Sequence, residues 1–358
     1  MIKLKSLFIF LMFIAIISLV GCNSSSSSTD SKDPEQASEG DEPITLKVAT
    51  FFPETSNTHT NFVNPWMEKV EELTEGKVKF DYYPSEQLGK TADMLGLTKD
   101  NVMNIAMLPT IYFNSEMPIS NSLQNMPGVA QSAKQATMGY WDLLQSNPEI
   151  LEKDYLNNGV RPLGILFSSP YEIWSKDIEI RDPEDLRGLK IKTAGGITNE
   201  FFQSLGAVPV TVAFPEMYEA LDKGVVDALS IDALPLRTSG VEEVVTHGVF
   251  PHWGTSLQSL IINEQVWNSL SPDIQEAMIQ AGQEVTEAIG PIYDDVSNEI
   301  IDGFMDTKTM VELTEEEQKK WTEIGEGFQQ KWVEENHTED FPIKDYLEKY
   351  KESLSKYK

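Results

Sequence analysis

The sequence predicts an α/β fold built as two lobes, with additional helices at the C-terminal end. Three observations predict it. Short apolar runs alternate with amphipathic stretches over most of the chain, and the order strand, helix, strand recurs. About 316 residues follow position 42, which is more than one hydrophobic core usually serves. The single cysteine excludes internal disulfides, so stability has to come from buried cores.

The first segment reads as an export signal. Lys3 and Lys5 give a basic start, and Leu7 to Val20 form an apolar run too short to span a bilayer comfortably. The run ends at Leu19-Val20-Gly21-Cys22, a lipoprotein box, so 1–21 is expected to be removed and Cys22 to carry a diacylglycerol and palmitate-type anchor. The competing reading is an ordinary cleaved signal with an incidental Cys22. Residues 22–42 hold Ser24 to Ser28 and then Asp30, Asp33, Glu35, Glu39, Asp41 and Glu42, a composition that cannot offset its ordering entropy and reads as a flexible tether.

The ordered part opens with a strand at Ile44 to Phe52. Phe62, Trp66, Met67, Val70 and Leu73 then recur at helical spacing, Gly76 stops the helix, and Val78, Phe80 and Tyr82 alternate as a second strand. That order implies a parallel βαβ unit. Further strands are expected at Val102–Leu108, Val160–Phe167, Leu189–Thr193, Val208–Val212, Val225–Leu229 and Ser256–Ile262, with helices at Asn199–Leu205 and Pro215–Lys223. From Ser271 the chain reads as helical. Ser271-Pro272-Asp273 opens one helix, and Thr314 to Glu317 has capping-box spacing before Trp321.

Composition narrows the function classes. Asp and Glu number 57 against 28 Lys and Arg, and a chain so acidic repels nucleic acid and anionic lipid headgroups. An anionic ligand would need local positive charge. The four histidines (His59, His247, His252, His337) form no HExxH pair, no GxGxxG or GxxxxGK[ST] loop is present, and Ser168 and Ser169 lack the glycines of a nucleophile elbow. No enzyme, no catalytic residue, no metal site and no cofactor are therefore expected.

The informative stretch is Arg181-Asp-Pro-Glu-Asp-Leu-Arg-Gly-Leu-Lys-Ile-Lys-Thr-Ala-Gly-Gly196, continued by Leu205 to Val210 and by Phe214-Pro-Glu-Met-Tyr-Glu-Ala-Leu-Asp-Lys-Gly-Val-Val-Asp227. It resembles the substrate-binding subunit of tripartite ATP-independent periplasmic (TRAP) transporters, the DctP family. Ser56-Asn-Thr-His59, Phe80 to Gly89 and Val266 to Gln275 agree with it, so the resemblance covers nearly everything from Ile44 to the C-terminal helices. It implies a two-lobed type II periplasmic-binding-protein fold whose interlobe cleft closes on a small organic solute. Lobe 1 would comprise 43–169 and 258–297. Lobe 2 would comprise 170–257 with 298–358 and the C-terminal helices. The crossing strands would lie near Phe167 to Ser169 and near Leu257.

The resemblance also implies partners: small and large integral-membrane TRAP subunits, with uptake driven by an ion gradient. The expected protein is a monomer outside the cytoplasm, held to the membrane by its lipid alone. Two rivals share the fold: a solute-binding lipoprotein of an ATP-driven importer, and a ligand sensor for a receptor kinase.

Where the family pattern has an arginine that pairs with a solute carboxylate, this chain has Lys192, which keeps the charge and loses the two-pronged geometry. Lys192 is then either a point cationic contact or a strand-end lysine in solvent like Lys190. The family's cleft further implies Glu86 as an acceptor (or a solvated loop carboxylate), Phe214 as an aromatic contact (or a core ring), and Ser230 and Asp232 just past a strand's carboxyl end. Tyr171 and Trp174 would supply flat apolar walls, and Trp253 beside His252 is a candidate of the same type. The expected solute is weakly acidic, neutral or amphipathic.

Overall fold

The computed structural model describes residues 42–212 and 214–357. The export segment, Cys22 and nearly all of the tether lie outside the described residues.

Strand β1 (Ile44–Ala49) starts exposed and ends buried. It leads through a π turn into helix α1 (Asn64–Leu73), which has Pro in its first turn and buries Trp66, Met67 and Val70. Strand β2 (Val78–Tyr83) returns parallel to β1, in register from Ile44 against Val78 to Ala49 against Tyr83. Strand β3 (Ile105–Pro109) is buried throughout and pairs parallel with β1 on its other side. Helices α2 (Pro118–Gln124) and α3 (Ala133–Ser146) follow, α3 being capped where the Ser132 side chain accepts from the Gln135 N–H. Strand β4 (Val160–Phe167) ends the first pass through this lobe.

The second sheet is made from β5 (Glu172–Ser175), β6 (Lys190–Thr193), helix α4 (Ile197–Ser204), β7 (Val208–Thr211), β8 (Ala228–Ile231) and β9 (His247–Val249). Its order is β11-β9-β5-β8-β6-β7, with β6, β7 and β8 mutually parallel where paired and β5 antiparallel to β8 and β9. Strand β10 (Leu257–Asn263) then returns to the first sheet, antiparallel between β3 and β4, and completes the order β2-β1-β3-β10-β4. Helix α5 (Pro272–Met305) follows. Its first part buries Ile274, Met278, Val285 and Ile289 in the first lobe's core, and Ile300 and Phe304 belong to the second lobe's. Strand β11 (Thr309–Val311) edges the second sheet, and helices α6 (Glu315–Asn336) and α7 (Ile343–Leu354) close the chain. Thr314 and Glu317 form both bonds of a capping box at the start of α6.

The lobes are thus joined by four passages of chain: Ser168–Tyr171, Phe250–Ser256 and the lengths of α5 and α6. The first two are knitted together. Ser168 N–H donates to Ser256 C=O at 3.0 Å, Tyr171 N–H to Gly254 C=O at 2.7 Å, and Trp253 N–H to Tyr171 C=O at 3.0 Å.

Three expectations shift. The strand expected from Val225 begins at Ala228, because Gly224 at φ +69° turns the chain, Val226 N–H bonds back to Ala220 C=O, and Val225 stays 52% exposed. Likewise Val102 closes the preceding helical turn, its N–H reaching Leu97 C=O, and β3 starts at Ile105. The tail, expected wholly on lobe 2, divides: Trp321 of α6 packs in the second lobe, while Trp332 and the buried face of α7 (Ile343, Tyr346, Leu347, Tyr350, Leu354) join the first lobe's core. The reason is an apolar stripe on α7 at helical spacing, which finds its complement on α3.

Candidate functional site

Lys190 and Lys192 alternate onto one face of β6, yet Lys190 is exposed and Lys192 is only 6% exposed. The difference is position. Lys192 pairs with Leu229 of β8 and Val210 of β7, and Gly195 and Gly196, at φ +101° and +57°, turn the chain at once into α4. Those angles suit glycine alone. A Cβ on Gly196 would also meet Asn114 of the first lobe at 3.3 Å. Burial lowers the Lys192 ammonium to about 8, against the opposing pull of Asp232.

Asp232 lies one residue beyond β8 and is 5% exposed. Burial pushes its carboxyl up to about 7, opposed by the N–H groups of its own residue and of Leu234 and by Lys192, and reinforced by Glu172. On the same strand Ser230 is buried, and its Oγ has no hydrogen-bond partner among the described residues. A buried hydroxyl without a partner is uncommon and marks a place where a partner is expected to arrive.

These groups face the first lobe. The Tyr171 phenol, on the first crossing, is pushed up by burial and then by the neighbouring Asp232 carboxylate; it also hydrogen-bonds Ser256 and feels Tyr112. Tyr112, in the turn after β3, is half-exposed, and its phenol is raised by burial and by Glu86. Tyr293 of α5 is hydrogen-bonded to Thr58 Oγ1, and its phenol is raised by burial and by Asp232. Tyr112 and Thr58 from the first lobe and Lys192 and Asp232 from the second therefore meet around Tyr171 and Tyr293. This is an interlobe crevice at the carboxyl ends of the parallel strands, where open α/β sheets hold ligands.

Aromatic rings rim its first-lobe side. His59 stacks on Tyr82 at 4.5 Å, the Tyr82 hydroxyl and Thr50 Oγ1 are 2.9 Å apart, and Phe51 and Phe52 are in ring contact at 3.9 Å. Burial lowers the His59 imidazole, and His59 Nδ1 and Gln258 Oε1 are buried without partners among the described residues.

The remaining candidates are placed differently. Glu86, at φ +61°, is held by its own loop: its carboxylate accepts from Thr91 N–H at 2.9 Å, Thr91 Oγ1 at 2.6 Å and Lys90 Nζ at 2.8 Å. Those bonds, Lys90 first, draw it down to about 2. Phe214 is 38% exposed after β7. Trp174 is fully buried, with Nε1 donating to Ile231 C=O at 2.9 Å and edge contacts to Phe250 and Phe304, so it sits in the core rather than on a wall of the crevice. Trp253 packs edge-on against Phe201, Phe202 and Trp321 in the second lobe.

Sequence reasoning named Ser230 and Asp232, which lie at the crevice, but not Tyr82 and Tyr112, to which the strand-end rule applied to β2 and β3 would have led. Tyr293 carries no such signal, because it is one apolar position among many on a long helix.

Two other concavities lie away from the crevice. One of about 320 Å³ is bordered by Pro127, Trp253, Trp321 and Gln329, and one of about 580 Å³ lies between α6 and α7 near Val333 and Leu347. Some of their polar wall groups bond to one another, although Trp253 Nε1 is buried without a partner among the described residues. Gln329 Nε2 donates to Pro127 C=O, and Lys351 Nζ to Gln329 Oε1 at 2.7 Å. The crevice instead brings together the buried Lys192 and Asp232 side chains, and buried charges weigh more.

The family description "DctP: Bacterial extracellular solute-binding protein, family 7" matches residues 48–336. The chain belongs to this family. DctP-family proteins of known name resemble it at moderate distance: the C4-dicarboxylate-binding periplasmic protein of Rhodobacter capsulatus is 25% identical over 264 residues, 72% of this chain and 77% of that one. A TRAP solute-binding protein from Rhodoferax ferrireducens, solved with copurified benzoate, superposes with a TM-score of 0.78 at 22% identity, over 88% of this chain and 98% of that one. A marine-metagenome TRAP solute-binding protein described as specific for aromatic acids, solved with 3-hydroxybenzoate, gives 0.79 at 23%, over 88% and 99%. The fold is theirs, a mixed α/β type II periplasmic-binding-protein architecture, and this DctP-family chain is a solute-binding protein. Among the described residues, no helix is long and apolar enough to cross a membrane.

Proposed function

We propose that this protein takes up a small organic acid with one carboxylate and an aromatic body in the interlobe crevice. It then delivers the acid unchanged to the small and large membrane subunits of a TRAP transporter. Diacylglycerol on Cys22 holds it outside the cytoplasm.

The observation that carries this reading is the burial of Lys192 at a strand end, opposite a rim of tyrosines. A lysine gives up its hydration only where something replaces it, and a solute carboxylate does so. One such charge suits a monocarboxylate better than a dicarboxylate. The arginines are engaged elsewhere: Arg161 with Glu264, Arg181 with Glu179, Arg237 with Glu242, and Arg187 beside Gly206. Flat rings at Tyr112, Tyr171, Tyr82 and Phe214 suit an aromatic body. The ligands named for the two structural relatives above and for a Bordetella bronchiseptica relative (the two mandelates) are of that class. Closure follows from contacts that exist only when both lobes touch the solute. In this reading the solute leaves as it arrived, in keeping with a solute-binding family.

Calorimetric titration with benzoate, mandelate and succinate tests the reading. The aromatic monocarboxylates are expected to bind and to be recovered intact. Lys192→Ala should weaken them by about ten- to a hundredfold, the usual value of a hydrogen bond to a charged group. Succinate binding tightest, or undiminished binding by Lys192→Ala, would overturn it.

A further inference from the structure

Lys192 and Asp232 are both nearly sealed from solvent, at the ends of neighbouring strands β6 and β8. Each feels the other's charge, yet among the described residues they do not form an ion pair within 4.0 Å. A buried cation and a buried anion that share a site would ordinarily close on each other. Here they stay separate, on strands that pair Lys192 with Leu229, three residues before Asp232. Asp232 is steadied by backbone N–H groups, at its own position and at Leu234, and by the charge of Lys192.

Resting on the reading of this crevice as an acid-binding site, we propose that Lys192 and Asp232 form a bipolar clamp. Lys192 takes the solute carboxylate, and Asp232 accepts a hydrogen bond from a hydroxyl or ammonium on the same small molecule. Asp232 is thus a specificity-determining residue. A carboxylate lacking such a donor would lie against an anion with nothing between them, which penalises it unless Asp232 takes up a proton. A solute with both groups satisfies both charges and needs no proton.

The groups facing Asp232 fix the direction of the pH dependence. They are Lys192 on β6, Glu172 on β5, Tyr171 on the crossing strand and Tyr293 on α5. The tyrosines stay neutral through the working range, and Glu172 is occupied by His252. As pH rises, Asp232 gains charge near 7 and Lys192 loses it near 8. Affinity for a donor-less carboxylate therefore falls through both steps. Affinity for an ammonium acid rises through the first and falls through the second.

Phenylacetate, mandelate and phenylglycine share a ring and a carboxylate and differ by hydrogen, hydroxyl or ammonium on one carbon. Titrated calorimetrically near pH 7.5 against the full-length protein and Asp232→Asn, they are expected to separate. In the native protein mandelate or phenylglycine should bind at least about tenfold tighter than phenylacetate. In Asp232→Asn, whose amide oxygen still accepts from a hydroxyl, the phenylglycine preference should collapse to within about threefold, with phenylacetate improved. A phenylglycine preference that survives Asp232→Asn, or no preference in the native protein, overturns the clamp while leaving an acid site intact. If none of the three binds, the aromatic-acid reading has failed and the clamp falls with it. Should Asp232→Asn fail to fold by thermal melting, the native pH profile decides. Phenylacetate affinity that is flat or rising between about pH 6 and 7.5 would sink the proposal.

Discussion

Glu172 and His252 meet where two passages between the lobes lie side by side. The Glu172 carboxylate is buried, with Oε1 2.6 Å from His252 Nδ1 and Oε2 accepting from the His252 N–H at 3.2 Å. His252 holds a left-handed φ of +53°, so this bond fixes a conformation that a non-glycine residue resists. The nearby carboxylate raises the His252 imidazole, and burial raises Glu172. The sign follows from the histidine. Its stabilisation is fully present below its unfolded value of about 6.5 and is lost as pH rises through the higher folded value. Glu172→Gln should return the His252 titration, followed by NMR, to about 6.5 or below, and should flatten the fall in stability above that pH. An unchanged titration would mean the pair does not hold the crossing.

At this same scale the site was half legible. Ser230 and Asp232 could be named as candidates because strand-end positions leave a linear signal, and Lys192 because it stands where the resembling family's pattern has an arginine after Leu189-Lys190-Ile191. That Lys192 is buried while Lys190 is exposed could not be read, since both occupy one face and only the flanking strands distinguish them. Trp174 and Trp253 misled for a related reason: a tryptophan near a crossing strand reads as wall or as core until its neighbours are known.

The elements show how close the packing runs. Gly282 of α5 sits against β4 so tightly that a Cβ there would fall 1.6 Å from Leu163 C=O, and one on Gly290 would fall 2.5 Å from the Lys134 Cα of α3. Backbone, unlike a long side chain, cannot swing aside. Gly282→Ala should therefore cost about 2–3 kcal/mol or more, as overpacking does, and lower the urea midpoint. Gly303→Ala on the same helix, where nothing lies within 4 Å, should not. Equal midpoints for the two variants would refute this account of the packing.

Strands of six to eight residues announced themselves in sequence through alternation or continuous apolarity, as β1, β2 and β4 did. The four-residue strands β6, β7 and β8 were legible too, but β5, β9 and β11 were not, because their pairing is set by partners far along the chain and not by local pattern. Caps were more reliable. The Thr314 capping box and the Pro272 start were both readable, since each is a contact among adjacent residues.

For the whole molecule, a net charge of −29 disfavours contact with anionic headgroups, so the proposed anchor at Cys22 predicts that membrane attachment depends on that residue. Fractionation measures this. The native protein should pellet with membranes and resist a high-salt wash, and Cys22→Ala should appear in the soluble fraction with its solute affinity unchanged. Membrane retention of Cys22→Ala would remove the anchor from the account.

The first lobe is not finished where it begins. Its interior strand β10 and its covering helix α7 are supplied only after the entire second sheet apart from β11 has been laid down. A chain leaving a translocation channel N-terminus first therefore carries β1, β3 and β4 with an empty lane between the last two until residue 263 emerges, and with an uncovered flank until residue 354. Early collapse gains little, because the apolar surface that would reward it has not yet been delivered. The topology thus keeps the nascent chain loose for most of its passage, the condition a secretion pore demands of its cargo.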